Sequence, residues 1–170
     1  MGTKIIIPNM VTLSNLLLGI ISLNYTMNEQ YTVAAISILL AMMMDGMDGK
    51  IARKLDVASN FGKQLDSLCD LVSFGVAPAL LVYGSSLQAI GPSGLIIALI
   101  FALCGAIRLA RFNVLDINDH FIGVPITFAG SLLALAVLIA SRLPLSVLFF
   151  SVFTLLLAYL MVSNLKVPKY

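Results

Sequence analysis

The sequence predicts an all-α integral membrane protein whose six transmembrane helices form one bundle. Of its 170 residues, 60% are hydrophobic and only 11% are charged, whereas a soluble domain carries about 25% charged residues. Six apolar stretches approach the length of about 20 residues that a membrane-spanning helix needs. They cover roughly residues 11–27, 31–52, 66–87, 93–113, 124–142 and 145–164. The net charge of +2 is too small to indicate a nucleic-acid partner.

Short polar or Gly- and Pro-containing breaks separate these stretches. Residues 28–30 are polar, residues 91–94 read Gly-Pro-Ser-Gly, and residues 115–120 are again polar. Leu143 and Pro144 join the last two helices tightly. Glycine and proline are common at such turns. No change in composition marks a second domain, so residues 1–170 are predicted to form a single one.

The distribution of basic residues predicts the orientation in the cell membrane. With six spans and a cytoplasmic N-terminus, all ten Lys and Arg except Arg142 fall on the cytoplasmic side. This is the bias that cytoplasmic loops show. We therefore expect both termini in the cytoplasm.

Half of the eight acidic residues lie in two pairs at the ends of apolar stretches. Asp45 and Asp48 are three residues apart, and Asp66 and Asp70 are four apart. At about 100° per residue, each pair shares one helix face. Antiparallel helices with a short cytoplasmic connection could bring the two pairs together. Ionised carboxylates at membrane depth are costly, which makes the cluster a functional-site hypothesis.

Four facing carboxylates must either protonate or bind cations. Oxygen ligands suit Mg²⁺, Mn²⁺ or Ca²⁺, and the lack of a His or Cys cluster in the sequence argues against zinc. Two divalent ions would balance four charges, and a two-ion site is a recognised arrangement for phosphoryl transfer. Gly46, Gly49 and Gly62 leave space beside the acids. Arg53 shares the face of Gly49 and could meet a phosphate there.

These residues resemble the signature of the CDP-alcohol phosphotransferases. The chain reads D-x-x-D-G-x-x-A-R, eight further residues, and G-x-x-x-D-x-x-x-D, from Asp45 to Asp70. The resemblance implies a six-helix membrane enzyme, usually a homodimer. Such an enzyme moves a substituted phosphate from a CDP-linked donor to an alcohol and releases CMP.

The resemblance also implies a role for each residue of the signature. Asp45, Asp48 and Asp66 would hold the first divalent ion. Asp70 would serve a second ion or act as general base, and Asp66 could bridge both ions. The implied donor-binding residues are Gly46, Gly49, Ala52, Arg53 and Gly62. Near the N-terminus, Asn9, Thr12 and Asn15 are weaker candidates for the nucleotide, the alternative being helix capping or interhelical hydrogen bonds.

Three further segments resemble the branch of that family whose acceptor is serine. They are residues 61–78, 108–113 and 121–125. In this interpretation Arg108, Arg111 and Asn113 bind the acceptor, the alternative for the arginines being anchorage at the cytoplasmic surface. The partners would be a CDP-linked diacyl or ether lipid, L-serine, the bilayer and a second copy of the chain.

Two alternatives remain open at this stage. The same chemistry could use inositol phosphate or glycerol phosphate, although a dianionic phosphate should demand a more basic pocket. A cation or proton-coupled transporter could also use intramembrane acids. All four aspartates lie toward one end of their helices rather than along a path, which disfavours a transporter.

Overall fold

The structure, a computed structural model, describes residues 3–55, 60–114, 121–163 and 166–167. Side chains at residues 3–8, 48–55, 121–122 and 166–167 lie outside this description. Within these ranges the chain forms seven α-helices. They are α1 (Thr3–Met27), α2 (Tyr31–Leu55), α3 (Asn60–Asp70), α4 (Ala77–Ser85), α5 (Pro92–Val114), α6 (Ile126–Ala140) and α7 (Val147–Val162).

These helices form six rods, because α3 and α4 are joined without a break by a π-helical segment, Leu71–Val76. The six rods match the predicted number of helices. Among the described residues, the rods Asn9–Met27, Asn60–Ser85 and Pro92–Val114 are long and apolar enough to cross a membrane. The other three apolar helices are shorter: Tyr31–Met47, Ile126–Ala140 and Val147–Val162.

One predicted boundary is wrong, and one small element was not predicted. The predicted span 11–27 agrees with the apolar stretch Asn9–Met27, although helix α1 itself begins at Thr3. The third rod begins at Asn60 rather than near residue 66, because its polar first turn continues the helix. A two-residue antiparallel pair joins β1 (Phe121–Ile122) to β2 (Lys166–Val167). Apart from this pair and a short 3₁₀ turn, Leu87–Ile90, the described elements are α-helices and one π-helical segment. The structure is thus helical, as the predicted all-α class requires.

Helix α2 shows how the rods divide between the core and the surroundings. Ala34, Ile38 and Ala41 are fully buried, and their spacing places them on one face. Val33, Leu40 and Met43 are exposed on the outside of the bundle. An apolar outer face is expected when hydrocarbon rather than water surrounds the protein.

The π-helical segment begins directly after Asp70. The backbone N–H of Ala77 bonds to the carbonyl of Val72, five residues back. Pro78 has no N–H and cannot bond to the carbonyl of Phe74, four residues back. Gly130 of α6 packs against that Phe74 carbonyl so closely that a Cβ atom would overlap it. The wide turn is thus fixed by a proline in its own rod and a glycine in the neighbouring one.

We expect Gly130→Ala to destabilise the protein because its methyl group would meet the backbone of Phe74. Overpacking of this kind costs about 1–3 kcal/mol, so the melting temperature in detergent should fall by several degrees. A thiol-reactive dye can follow unfolding through Cys69, which is buried, and Cys104, which is partly buried.

Gly46→Ala is the matched control, because nothing lies within 4 Å of a Cβ atom built there. Gly46 lies inside a helix, where alanine is favoured by about 0.5–1 kcal/mol. Its melting temperature should stay level or rise. An equal fall for both variants would show that the contact between Gly130 and Phe74 is not tight.

Candidate functional site

Three of the four clustered aspartates meet between α2 and α3. Asp45 lies on α2, and Asp66 and Asp70 lie one turn apart on α3. One carboxylate oxygen from each lies within 4.8 Å of the other two. Asp45 and Asp66 are partly buried, and Asp70 is only 8% exposed. The shared helix face inferred from the spacing of Asp66 and Asp70 therefore points toward α2.

The remaining residues of the signature are only partly described. Asp48, Gly49, Ala52 and Arg53 belong to the final turns of α2, and their side chains lie outside the described part of the chain. Gly46 is exposed, with open space on its side-chain side, and Gly62 is partly buried. The open space described here lies at Gly46, the residue after Asp45, and the role of the three glycines stays a prediction.

Helix α1 contributes a polar face to the cluster. Asn15 is fully buried, and its Nδ2 donates a hydrogen bond to Oδ1 of Asp70 at 3.2 Å. The Ser73 hydroxyl donates to the Asn15 carbonyl at 3.1 Å. Thr12, three residues before Asn15, is also buried, whereas Asn9 is partly exposed. The Asn15 side chain thus bonds directly to one of the clustered acids.

Sequence reasoning missed Thr127, in the first turn of α6. Its side chain lies near enough to the Asp45 carboxylate to interact with it, on a helix that does not carry any of the clustered acids. Thr127 lies two residues after the segment 121–125, which resembles the serine-using branch of the family. That resemblance was the available signal in the sequence. Helical periodicity could not reveal the contact, because it relates residues only within one helix.

Arg108 of α5 faces the cluster from another side. Its side chain is 9% exposed and lies within electrostatic reach of Asp70. Its Nε has no hydrogen-bond partner among the described residues. A buried arginine needs an anionic partner, and here that partner is the acid cluster or an anion bound beside it.

Arg111 and Asn113 connect α5 to its neighbours. Nη1 of Arg111 donates to the carbonyl of Val162 at the end of α7, at 3.1 Å, where basic side chains commonly cap a helix. Nδ2 of Asn113 donates to the Ser67 hydroxyl at 3.0 Å and to Oε1 of Gln64 at 3.3 Å. Sequence reasoning assigned Arg108, Arg111 and Asn113 to the acceptor, and that assignment stays a prediction.

The acid cluster has the donor set and the dimensions of a divalent cation site. Ligand oxygens that bond to one ion at about 2.1–2.4 Å lie at most about 4.2–4.8 Å apart. The three aspartate oxygens, all within 4.8 Å of one another, can therefore share one ion after little or no side-chain movement. Carboxylate oxygens without His or Cys ligands suit Mg²⁺, Mn²⁺ or Ca²⁺.

A family model for CDP-alcohol phosphatidyltransferases matches residues 5–163 of the chain. The chain belongs to the CDP-alcohol phosphatidyltransferase family. Members of this family depend in general on divalent metals, in agreement with the aspartate triad.

Three curated relatives span most of the chain, and each is named CDP-diacylglycerol–serine O-phosphatidyltransferase. The Methanocaldococcus jannaschii protein is 40% identical, over 98% of this chain and 75% of its own length. The Helicobacter pylori protein is 38% identical, over 96% of this chain and 72% of its own length. The Bacillus subtilis protein is 37% identical, over 96% of this chain and 90% of its own length.

Replacing a clustered aspartate with asparagine should weaken cation binding, because each change removes one charged ligand. We expect Asp45→Asn and Asp66→Asn to raise the dissociation constant for Mn²⁺ by about 10-fold or more, since even outer-shell changes cost that much. Electron paramagnetic resonance of free Mn²⁺ can measure this in detergent without any substrate.

Glu29→Gln is the matched control, because Glu29 is an exposed acid in the turn between α1 and α2, far along α2 from Asp45. Its Mn²⁺ affinity should equal that of the unchanged protein. Equal Mn²⁺ affinity in all three variants would contradict the metal site.

Proposed function

We propose that the chain transfers the phosphatidyl group of CDP-diacylglycerol, or of an ether-lipid equivalent, to the hydroxyl of L-serine. The products are phosphatidylserine and CMP. The observation that carries this proposal is the aspartate triad of α2 and α3, found in a chain whose relatives named above are serine transferases. The arrangement of the three aspartate oxygens, which suits a divalent cation, supports phosphoryl transfer. The names of the relatives support serine as the acceptor.

We assign Asp45, Asp48 and Asp66 to the first divalent ion, with Asp70 available to a second. Bound divalent cations would neutralise the diphosphate of the donor and stabilise the leaving phosphate. Gly46, whose side-chain direction is open, gives the donor room to approach Asp45. The roles of Gly49, Ala52, Arg53 and Gly62 in the CDP pocket rest on the family signature.

Asp70 is the proposed general base. It is the most buried of the three acids, and the charges of Asp45 and Asp66 both act on it. The serine oxygen bonds to the phosphorus that carries the lipid, and the bond from that phosphorus to the CMP oxygen breaks. The serine proton passes to Asp70, and the bonding electron pair leaves with CMP.

Arg108 is the proposed partner of the serine carboxylate. It is buried within reach of Asp70, so an acceptor held there would place its hydroxyl near the base. We also assign Arg111 and Asn113 to the acceptor site, where their hydrogen bonds to α7 and α3 would hold them in position. One buried arginine matches the single negative charge of a carboxylate better than a dianionic phosphate.

We further propose that all six rods cross the membrane as one domain with both termini in the cytoplasm. The biased distribution of Lys and Arg supports this orientation, which opens the acid cluster toward the cytoplasm. Three of the helices are shorter: Tyr31–Met47, Ile126–Ala140 and Val147–Val162. For these helices to cross the membrane, the turns next to them must lie in the headgroup region. The family resemblance supports a homodimer.

An acceptor panel tests the assignment of serine. Purified protein with CDP-diacylglycerol and Mn²⁺ or Mg²⁺ should incorporate radiolabelled serine into lipid, release an equal amount of CMP, and stop when a chelator is added. Inositol phosphate and glycerol phosphate should give no labelled lipid. Incorporation of either phosphate compound in place of serine would contradict the assignment of serine as the acceptor. Ion flux in proteoliposomes without release of CMP would contradict the assignment of the protein as a transferase.

Kinetics of two variants separate the proposed roles of Asp70 and Asp45. Asp70→Asn should lower kcat by about 100-fold or more, the usual contribution of a general base, while CDP-diacylglycerol still binds. Asp45→Asn should instead weaken metal-dependent binding of the donor. CMP release at the original rate by Asp70→Asn would rule out the proposed base.

A further inference from the structure

Asn15 of α1 is bonded at two points to the rod that carries Asp70. Its Nδ2 donates a hydrogen bond to Oδ1 of Asp70 at 3.2 Å, and its backbone carbonyl accepts one from the Ser73 hydroxyl at 3.1 Å. Asn15 and Ser73 are fully buried. We propose that Asn15 is a positioning residue that orients the Asp70 carboxylate toward the acceptor hydroxyl. This role rests on the proposed function, in which Asp70 takes the proton of that hydroxyl.

The backbone of α1 is held against the π-helical segment just beyond Asp70. Gly19 lies one turn after Asn15, and a Cβ atom built on it would lie 2.9 Å from Cα of Ser73. The two rods therefore approach each other through a glycine, which lets the Ser73 hydroxyl reach the Asn15 carbonyl. The backbone of Asn15 thus has anchors of its own and does not depend on the side-chain bond to Asp70.

The amide of Asn15 can face Asp70 in only one way. An ionised carboxylate has acceptors and no donor, so Nδ2 rather than Oδ1 of Asn15 must lie against it. Oδ1 of Asn15 is buried without a hydrogen-bond partner among the described residues. Turning the amide over would place this oxygen against the carboxylate. The bond therefore fixes one oxygen of Asp70 and leaves the other oxygen with its acceptor positions in a defined direction.

A defined direction matters for a general base because proton transfer requires close contact. The base must lie about 2.6–3.2 Å from the oxygen whose proton it takes, and a displacement of about 1 Å can cost about 100-fold in rate. The amide of Asn15 carries no net charge. It can therefore orient the carboxylate without forming an ion pair with it, as a lysine or arginine would.

Contact with the nucleotide is the other role that the sequence leaves open for Asn15, and the two roles affect different constants. A side chain that bonds to the nucleotide contributes to binding of the donor, so its loss raises the donor KM and weakens CMP binding. A side chain that only orients Asp70 contributes to the chemical step, so its loss lowers kcat. The hydrogen bond to Asp70 favours the second role.

Asn15→Leu tests this role, because leucine keeps the branching at Cγ but has no amide donor. We expect kcat for transfer to serine to fall about 10-fold or more, since the Asp70 carboxylate is then free to rotate. The KM for CDP-diacylglycerol and the affinity for CMP, measured by calorimetry, should stay within about twofold. A raised donor KM and weaker CMP binding with an unchanged kcat would instead identify a nucleotide contact and overturn the inference.

Asn24→Leu is the matched control, because it is the same substitution on the same helix. Asn24 is exposed, and its Oδ1 accepts a hydrogen bond from Asn28 at 3.5 Å. Its kcat should equal that of the unchanged protein. Thiol-dye melting identifies any variant that does not fold, and Asn15→Ala, which adds no bulk, replaces Asn15→Leu if the leucine is not accommodated.

A double-mutant cycle shows whether Asn15 acts through Asp70. In protein that already carries Asp70→Asn, adding Asn15→Leu should cause almost no further loss of kcat, because the base is already absent. General loosening of the site would lower kcat by the same factor in both backgrounds. Melting temperatures give a second cycle that does not depend on activity, and the two losses should again be non-additive. Additive losses in both cycles would overturn the inference.

Failure of the proposed function can be distinguished from failure of this role. An unchanged rate of CMP release by Asp70→Asn would rule out the proposed base, and failure of the unchanged protein to use serine would rule out the proposed acceptor. In either case CMP affinity and the melting-temperature cycle, which need no turnover, would still decide whether Asn15 contacts the nucleotide or holds Asp70.

Discussion

Negative charge confined to a small space between helices is the constraint on which the rest of the structure depends. Asp45, Asp66 and Asp70 bring their oxygens within 4.8 Å of one another, in partly or largely buried positions where unpaired charge is costly. Such a cluster requires cations, hydrogen-bond donors or nearby basic groups that compensate its charge. Helices α1 and α5 each supply such a group, and their packing against the cluster makes these contacts possible.

The compensation is divided by chemical type. A neutral donor comes from α1 through Asn15, and positive charge comes from α5 through Arg108. Two further polar side chains of α5, Arg111 and Asn113, form hydrogen bonds to α7 and α3. Arg108 thus places its positive charge on the Asp70 side of the cluster.

The sequence was sufficient to predict the features that repeat along one helix. The spacing of Asp66 and Asp70 predicted one face, and hydropathy predicted six rods. Contacts between helices distant in sequence, such as Asn15 with Asp70 or Arg111 with Val162, depend on how the rods pack. They do not follow from a periodic pattern within one helix. The early start of α3 was missed for a different reason, because hydropathy does not mark a polar first turn.

The π-helical segment after Asp70 has a consequence for how this chain can vary. Each residue added to or removed from a helix turns everything beyond it by about 100°. The rod that carries Asp66 and Asp70 also carries Phe74, Ala77 and Leu81, all fully buried in the core. A π-helical turn contains one residue more than an α-helical turn, so a one-residue deletion within Leu71–Val76 would convert it to a regular turn and keep the acids and the core residues in register. The same deletion in α3 or α4 would instead turn the residues on its two sides apart by about 100°.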